Sequence, residues 1–291
     1  MLPTTFQVVI EHYPSAREEL IEHALRKLAS EQNAGFFDRP GYRSGVAFTL
    51  YRLRQELANQ GHAMTYEGLV EGLEILHYAY LAIIDVESDP DDPSMISQPY
   101  LPALAKVNRQ GRAADPDAKW FVQFHGLVTD SINQITYRQF NYQRLMKCST
   151  QLARWLISQL VLKYTQAAIT NSFQMKFSTI KRDSGLLSGY TRQRDALAAL
   201  NDAWEEVKEL GAISLVKKVE QRGSRGKLEN VTYTLFPSRE FAAEQKTANR
   251  RLSDAREATS PLHQQNLALL LEQAKNPRSL AGLVDKANRP R

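Results

Sequence analysis

The sequence contains one order of predicted elements twice: a helix, a turn, a second helix and then two β-rich runs. In the first half, the spacing of apolar residues predicts helices over 15–31, over 46–59 and from Thr65 onward, and then strands over 80–84 and 100–107. In the second half, it predicts helices from Ser149, over 177–187 and from Tyr190 or Thr191 to Leu210, and then strands over 212–219 and 231–236. Because a helix-turn-helix followed by a β-hairpin is the order of a winged helix, the sequence predicts an α+β fold, mainly α, with two tandem winged-helix domains.

The remaining segments set the expected domain boundaries. We expect residues 1–110 to form an N-terminal winged helix for dimerisation or auxiliary contact. We expect residues 115–238 to form a C-terminal, DNA-binding winged helix. This second domain is expected to begin with a strand over 120–124, a helix over 129–136 and a strand over 140–145. The acidic, proline-broken stretch 87–92 predicts a solvated loop that replaces or distorts the first wing. Residues 239–291 are polar and basic and predict a helical or disordered tail, with a helix over 261–274.

Charge is divided unequally between the two halves. Residues 1–100 carry a formal charge of −8 and residues 101–291 one of +13, which together give the net charge of +5. A basic region that long favours a polyanionic partner, whereas the acidic third favours another role. Charge asymmetry that only aids solubility is the alternative interpretation.

Motifs for catalysis and metal binding are missing from the sequence. It has neither the G-x-x-x-x-G-K-[ST] phosphate loop nor the G-x-S-x-G elbow, and its six histidines form no metal-binding pair. Its one cysteine, Cys148, excludes an internal disulfide and fits a reducing compartment. No apolar run approaches the roughly 20 residues that span a bilayer. We therefore expect a cytoplasmic protein that is not an enzyme and has no metal, cofactor or membrane partner.

The last long helix of the second half begins with groups that suit DNA. Its predicted first turn carries Tyr190, Thr191, Arg192, Gln193 and Arg194. Arginine can bind guanine edges and glutamine can bind adenine when a helix enters the major groove by its N-terminus. The far end of this helix is acidic, which is the polarity that such an insertion requires.

Cations flank this helix on both sides in the sequence. These cations are expected to contact phosphates. Gly223 and Gly226 are expected to let the hairpin tip approach the DNA closely. The cations are Lys181, Arg182, Lys217, Lys218, Arg222, Arg225 and Lys227. An exposed basic hairpin beside an ordinary amphipathic helix is the alternative. The equivalent helix of the first half carries Glu71 and Glu74, so we favour a protein–protein surface there over weak DNA contact through Arg43, Arg52 and Arg54.

Four segments carry a resemblance to a known family: 48–57 (FTLYRLRQEL), 66–73 (YEGLVEGL), 148–156 (CSTQLARWL) and 191–197 (TRQRDAL). In their order and spacing they resemble the plasmid replication initiators with tandem winged helices, the iteron-binding proteins of the TrfA-like branch. The resemblance implies binding to repeated origin sites, opening of A·T-rich DNA, and recruitment of host helicase and initiator proteins. It also implies homodimers formed through the N-terminal domain. Ser188, Thr191, Arg192 and Arg194 match the start of the recognition helix, and residues 217–227 match the wing.

Other functions remain open at this point. A winged-helix transcriptional repressor, a scaffold subunit of a DNA segregation complex and a nickase would each use part of the same pattern, although a nickase lacks its metal-binding histidine pair. Residues 265–270 also resemble a sliding-clamp-binding peptide, but an ordinary amphipathic helix explains them and we favour it.

Overall fold

The structure is a computed structural model that describes residues 14–31, 34–38, 43–85, 94–107, 118–135 and 138–258. The helices are α1 (Ala16–Ala29), α2 (Leu50–Asn59), α3 (Tyr66–Tyr78), α4 (Gly126–Asn133), α5 (Tyr142–Met146), α6 (Gln151–Lys163), α7 (Phe177–Ser184), α8 (Gln193–Glu209) and α9 (Arg239–Ala258). The strands are β1 (Gly35–Asp38), β2 (Arg43–Thr49), β3 (Tyr80–Asp85), β4 (Ser94–Pro99), β5 (Ala103–Val107), β6 (Lys119–Gln123), β7 (Phe173–Lys176), β8 (Ile213–Arg222) and β9 (Leu228–Pro237).

The N-terminal half packs three helices on an antiparallel sheet with strand order β1-β2-β6-β5. Side chains capable of capping start the helices, since the Thr49 hydroxyl accepts from the Arg52 amide and the Thr65 hydroxyl accepts from the Gly68 amide. The stripes of α1, α2 and α3 meet in one core, in which Leu25, Leu53 and Leu73 are fully buried. The separate hairpin β3–β4 follows α3 and completes the winged-helix order.

Several predicted elements of this half differ from the structure. The helix expected over 46–59 begins only at Leu50, because residues 43–49 pair with both β1 and β6 as strand β2. The predicted partner of the strand after α3 was 100–107, but β3 pairs with Ser94–Pro99. Strand β5 (Ala103–Val107) pairs instead with β6. The acidic stretch 87–92 lies outside the described residues.

The division expected between residues 110 and 115 does not coincide with the two cores. Strand β6 was expected to open the C-terminal domain, yet it pairs in the N-terminal sheet and buries Val122 in the N-terminal core. The N-terminal core continues to Met146, and the C-terminal core begins at Leu145. The strand expected over 140–145 is also wrong, because Asn141 caps helix α5 by accepting from the Arg144 amide at 3.1 Å.

The C-terminal half is built around α6, α7, α8 and the antiparallel sheet β7-β9-β8. Leu156, Ile180, Leu200 and Trp204 are buried together, and the Trp204 ring lies 5.9 Å from the ring of Tyr233 on β9. The hairpin β8–β9 follows α8 as the sequence predicts. The chain thus has the predicted α+β fold, mainly α, with two winged helices in tandem.

Helix α9 occupies the first part of the segment that the sequence predicts as a helical or disordered tail. Ser238 caps it by accepting from the Phe241 amide, and Phe241 is fully buried in the C-terminal core. The polar side of α9 binds the segment between the two cores, since Arg138 donates to both Gln245 and Asn249 at 2.8 Å. Residues 259–291 lie outside the described residues, and with them the helix predicted over 261–274 and the clamp-like segment 265–270.

Candidate nucleic-acid interface

The turn between α7 and α8 places the start of α8 at the surface. Helix α7 ends at Gly185, whose φ of +67° is accessible to glycine at little cost, and Leu187 then anchors the turn in the core. Helix α8 begins at Gln193 with Arg192 as its N-cap, so Tyr190 and Thr191 precede the helix instead of starting it. All of the predicted contact residues in this stretch are exposed: Ser188, Tyr190, Thr191, Arg192, Gln193 and Arg194.

The charged side chains of α8 are distributed unevenly between its two ends. The Arg192 side chain makes no capping hydrogen bond, so the first amide groups of α8 are not closed off by their own N-cap side chain. Amides at a helix start attract anions such as phosphate. Asp202, Glu205 and Glu209 lie exposed further along the helix, whereas the first turn carries one acid, Asp195, which pairs with Arg194.

One acid of this far end has a structural role that the sequence analysis missed. Glu206 accepts hydrogen bonds from the Ser149 amide and, at 3.0 Å, from the Thr150 hydroxyl. Thr150 is the N-cap of α6 and itself accepts from the Ala153 amide. Glu206 therefore stabilises the start of α6 and fixes α8 against it.

The two lysines of the hairpin point to opposite faces of the sheet. Lys218 pairs with Tyr233, so its side chain lies on the face that packs against α8, where the Tyr233 hydroxyl contacts Asn201. Lys217 pairs with Thr234 on the other face, and its ammonium group lies 5.3 Å from the centre of the Phe236 ring. Only one of these lysines can therefore share a surface with the start of α8.

The tip of the hairpin is held by internal contacts. Arg222 donates through Nη1 to the Gly226 carbonyl at 3.0 Å and through Nη2 to Glu220 at 2.7 Å. Gly226 has a φ of +72°, and a Cβ at Gly223 would lie 1.8 Å from the Glu229 carboxylate. The turn itself therefore requires glycine at Gly226, whereas a side chain at Gly223 would need only the Glu229 side chain to move. Lys227 is exposed, and the side chain of Arg225 lies outside the described part of the chain.

The flank on α7 contains a small ion-pair network. Lys181 is half-buried, whereas Arg182 is 76% exposed and donates from Nε to Asp183 at 2.7 Å. Lys163 approaches the same carboxylate at 3.8 Å. The hydrogen bond raises the pKa of Arg182 and lowers that of Asp183, so both groups stay charged near neutral pH.

The equivalent surface of the N-terminal half has the opposite charge. Helix α3 exposes Glu67, Glu71 and Glu74 beside an open groove that also includes Tyr66 and Val70.

The three arginines that the sequence offers for DNA contact in this half each contact another residue of the same half. Arg43 pairs with Asp38 at 2.8 Å, Arg52 pairs with Glu31, and Arg54 donates to the Met64 carbonyl while lying 5.0 Å from the centre of the Tyr66 ring.

A cluster of metal-binding side chains is not assembled in the described ranges. They contain no group of three or more His, Cys, Asp or Glu side chains placed to hold a metal ion. Cys148 is buried, which raises the pKa of its thiol to about 12 and leaves it protonated. A search of the described helices finds none with the length and apolar character to cross a bilayer. What the surface can do is bind a polyanion.

Solved structures that are similar to this chain include two that cover most of its length. One is the crystal structure of domains 2 and 3 of RctB, which covers 78% of this chain and 83% of its own, with 10% identity and a TM-score of 0.48. The other is the Pi initiator protein in complex with iteron DNA, which covers 79% of this chain and 100% of its own, with 14% identity and a TM-score of 0.48. No protein family and no curated protein matches the sequence.

Proposed function

We propose that this chain is a cytoplasmic DNA-binding protein, not an enzyme, that initiates plasmid replication by binding repeated origin sites in double-stranded DNA. One observation carries the proposal. Helix α8 presents Arg192, Gln193 and Arg194 to solvent at its start, where the exposed acid Asp195 is paired with Arg194, and the exposed acids Asp202, Glu205 and Glu209 lie towards its other end. A helix with this distribution can enter a major groove by its N-terminus and keep the three carboxylates of its other end away from the phosphates.

The flanking cations support the same orientation. Arg182 on α7 and Lys218 on the α8-facing side of the hairpin can contact phosphates on either side of an inserted helix, while Arg222 holds the hairpin tip. Four exposed cations would then serve the interface: Arg182, Arg192, Arg194 and Lys218. Since each neutralised phosphate contributes about 0.9 to the slope of log Kd against log salt, we expect a slope of about 3.5.

The role in replication rests on the resemblance of the four sequence segments to the plasmid initiators. On that basis, the C-terminal winged helix binds the repeats, and the acidic N-terminal winged helix mediates protein contacts, including a homodimer and host helicase or initiator proteins. The exposed acids of α3 support this division, because Glu67, Glu71 and Glu74 would repel phosphates.

The proposal is tested by selecting duplexes from a random pool and then measuring the affinity of the protein for the selected duplex. Arg192→Ala and Arg194→Ala should each weaken binding by about 1–3 kcal/mol, or about 5- to 150-fold, if they contact bases. Arg250→Ala, an exposed arginine on α9, is the matched control and should change affinity little. Unchanged affinity in both α8 variants, or a wild-type protein that selects no duplex, would contradict the proposal. Selection of tandem direct repeats favours an initiator, whereas selection of a single palindrome favours a repressor.

A further inference from the structure

Two arginines of the proposed DNA surface are held in the same way by the residue that follows them. Arg182 donates from Nε to Oδ1 of Asp183 at 2.7 Å, and Arg194 donates from Nε to Oδ1 of Asp195 at 3.2 Å. Both guanidinium groups are largely exposed, at 76% and 75% of their side-chain surface. The signal in the sequence is a repeated Arg-Asp pair, one near the end of α7 and one at the start of α8.

The atom that each carboxylate contacts decides what the arginine can still do. A guanidinium group has five N–H donors, and Nε carries only one of them. With Nε bound to aspartate, both Nη groups remain available as a fork, which is the arrangement that binds O6 and N7 of guanine. Arg222 provides the contrast, because its Nη1 and Nη2 are both engaged, by Gly226 and Glu220.

The same carboxylates oppose contacts that do not depend on sequence. Binding to DNA of any sequence comes from cations that replace counterions along the phosphates. A carboxylate beside an arginine cancels much of its charge at the distance of a phosphate and repels that phosphate. It does not block the Nη fork from a base edge. An exposed ion pair is weak and exchanges readily, so this effect modulates binding and does not prevent it.

We propose that Asp195 is a specificity-determining positioning residue, which orients the Nη groups of Arg194 towards base edges and reduces sequence-independent binding, and that Asp183 reduces such binding through the phosphate-contacting Arg182. The inference rests on the proposed function, since it requires that α8 contacts a duplex. It assigns the aspartates no direct contact with DNA. Their effect passes through the neighbouring arginines.

The test compares Asp195→Asn with Asp202→Asn in the full chain. Both residues are exposed on α8 and both changes remove one negative charge, but Asp202 takes part in no ion pair among the described residues and lies seven positions further along the helix. Affinity is measured for the duplex selected by the wild-type protein and for a scrambled duplex of equal length, across a salt series.

For Asp195→Asn we expect binding to the scrambled duplex to strengthen by about two- to fivefold, with a salt slope steeper by up to about 0.9. The ratio of selected to scrambled affinity should fall, and Asp202→Asn should change it by less than about twofold. In the Arg194→Ala background, the effect of Asp195→Asn on this ratio should vanish, because the aspartate acts through the arginine. Asp183→Asn should likewise strengthen binding to the scrambled duplex, through Arg182 and through Lys163, which approaches the same carboxylate at 3.8 Å.

Two results would overturn the inference. One is an equal change of the ratio in Asp195→Asn and Asp202→Asn, which would reduce the effect to net charge. The other is an effect of Asp195→Asn that persists in the Arg194→Ala background, which would make the aspartate a direct reader of a base such as cytosine. Failure of the proposed function is distinguishable, because the wild-type protein would then show no salt-dependent affinity for either duplex.

Discussion

Arg144 connects α8 to α9, the helix that follows the hairpin, and its replacement by methionine tests how α8 is held. The side chain is 6% exposed and lies on α5, between the two cores. Its Nε donates at 3.0 Å to the carbonyl of Leu210, the C-cap residue of α8, and its Nη1 donates at 2.5 Å to Glu244 on α9. A cation at a helix C-terminus also interacts favourably with the helix dipole.

The expected cost follows from these two contacts. A hydrogen bond from a charged group contributes about 1.5–3 kcal/mol. The ion pair with Glu244 contributes less, up to about 1 kcal/mol, because the carboxylate is 36% exposed and screened by water. Methionine retains most of the apolar volume of the stem, so the cavity cost is small. Arg144→Met should therefore lower the free energy of unfolding by about 2–4 kcal/mol.

Urea unfolding followed by circular dichroism measures this loss, with Arg250→Met as the control because Arg250 is exposed on α9. With a slope of about 2–3 kcal/mol per molar urea, the midpoint should fall by about 1 M. If the two halves unfold separately, the shift should fall on the transition that includes Trp204 fluorescence. A loss below about 1 kcal/mol, equal to that of the control, would refute the account of how α8 is anchored.

Two further predictions concern groups that the fold buries. Phe241→Ala should cost about 3–5 kcal/mol in urea unfolding, because this fully buried α9 side chain belongs to the C-terminal core; a loss under about 1 kcal/mol would mean that α9 does not pack there. Cys148 should react with a thiol reagent at pH 8 far more slowly in the native protein than in urea, since burial raises its pKa to about 12. Because this folded pKa lies above the ordinary value of 9.0, the native state keeps a proton that the unfolded state loses, and stability should fall as pH rises from about 9 towards 12. Equal labelling rates in the two states, or stability independent of pH in that range, would contradict the burial of the thiol.

The elements that the sequence predicts correctly are those with a local signal. Helix α3 has its Thr65 cap and its apolar stripe, and the hairpin β8–β9 has two β-rich runs around a glycine-containing turn. The errors fall on short elements whose state depends on distant partners. Strand β6 becomes part of the N-terminal sheet through pairing with β2 and β5, and neither partner is identified by the spacing of its own residues.

The residues of the candidate site also fall into those whose placement the local sequence predicts and those whose placement depends on distant partners. Exposure of Arg192 and Arg194 follows from their position before the first buried residue of α8, Ala196. The opposite directions of Lys217 and Lys218 depend on register and on which face of the sheet α8 covers. The engagement of both Nη groups of Arg222, and its contrast with Arg194, depends on side-chain geometry that no residue spacing specifies.

The two winged helices use one scaffold with opposite charges at the equivalent position. On α3, Glu67, Glu71 and Glu74 are spaced by four and three residues and therefore share one face over about 10 Å. Insertion of that face into a groove would bring three carboxylates against phosphates; of the arginines described near it, Arg17 pairs with Glu71 and Arg54 donates to the Met64 carbonyl. A duplex that contacts both halves must therefore meet the N-terminal half away from the exposed face of α3, which leaves that face available to a protein.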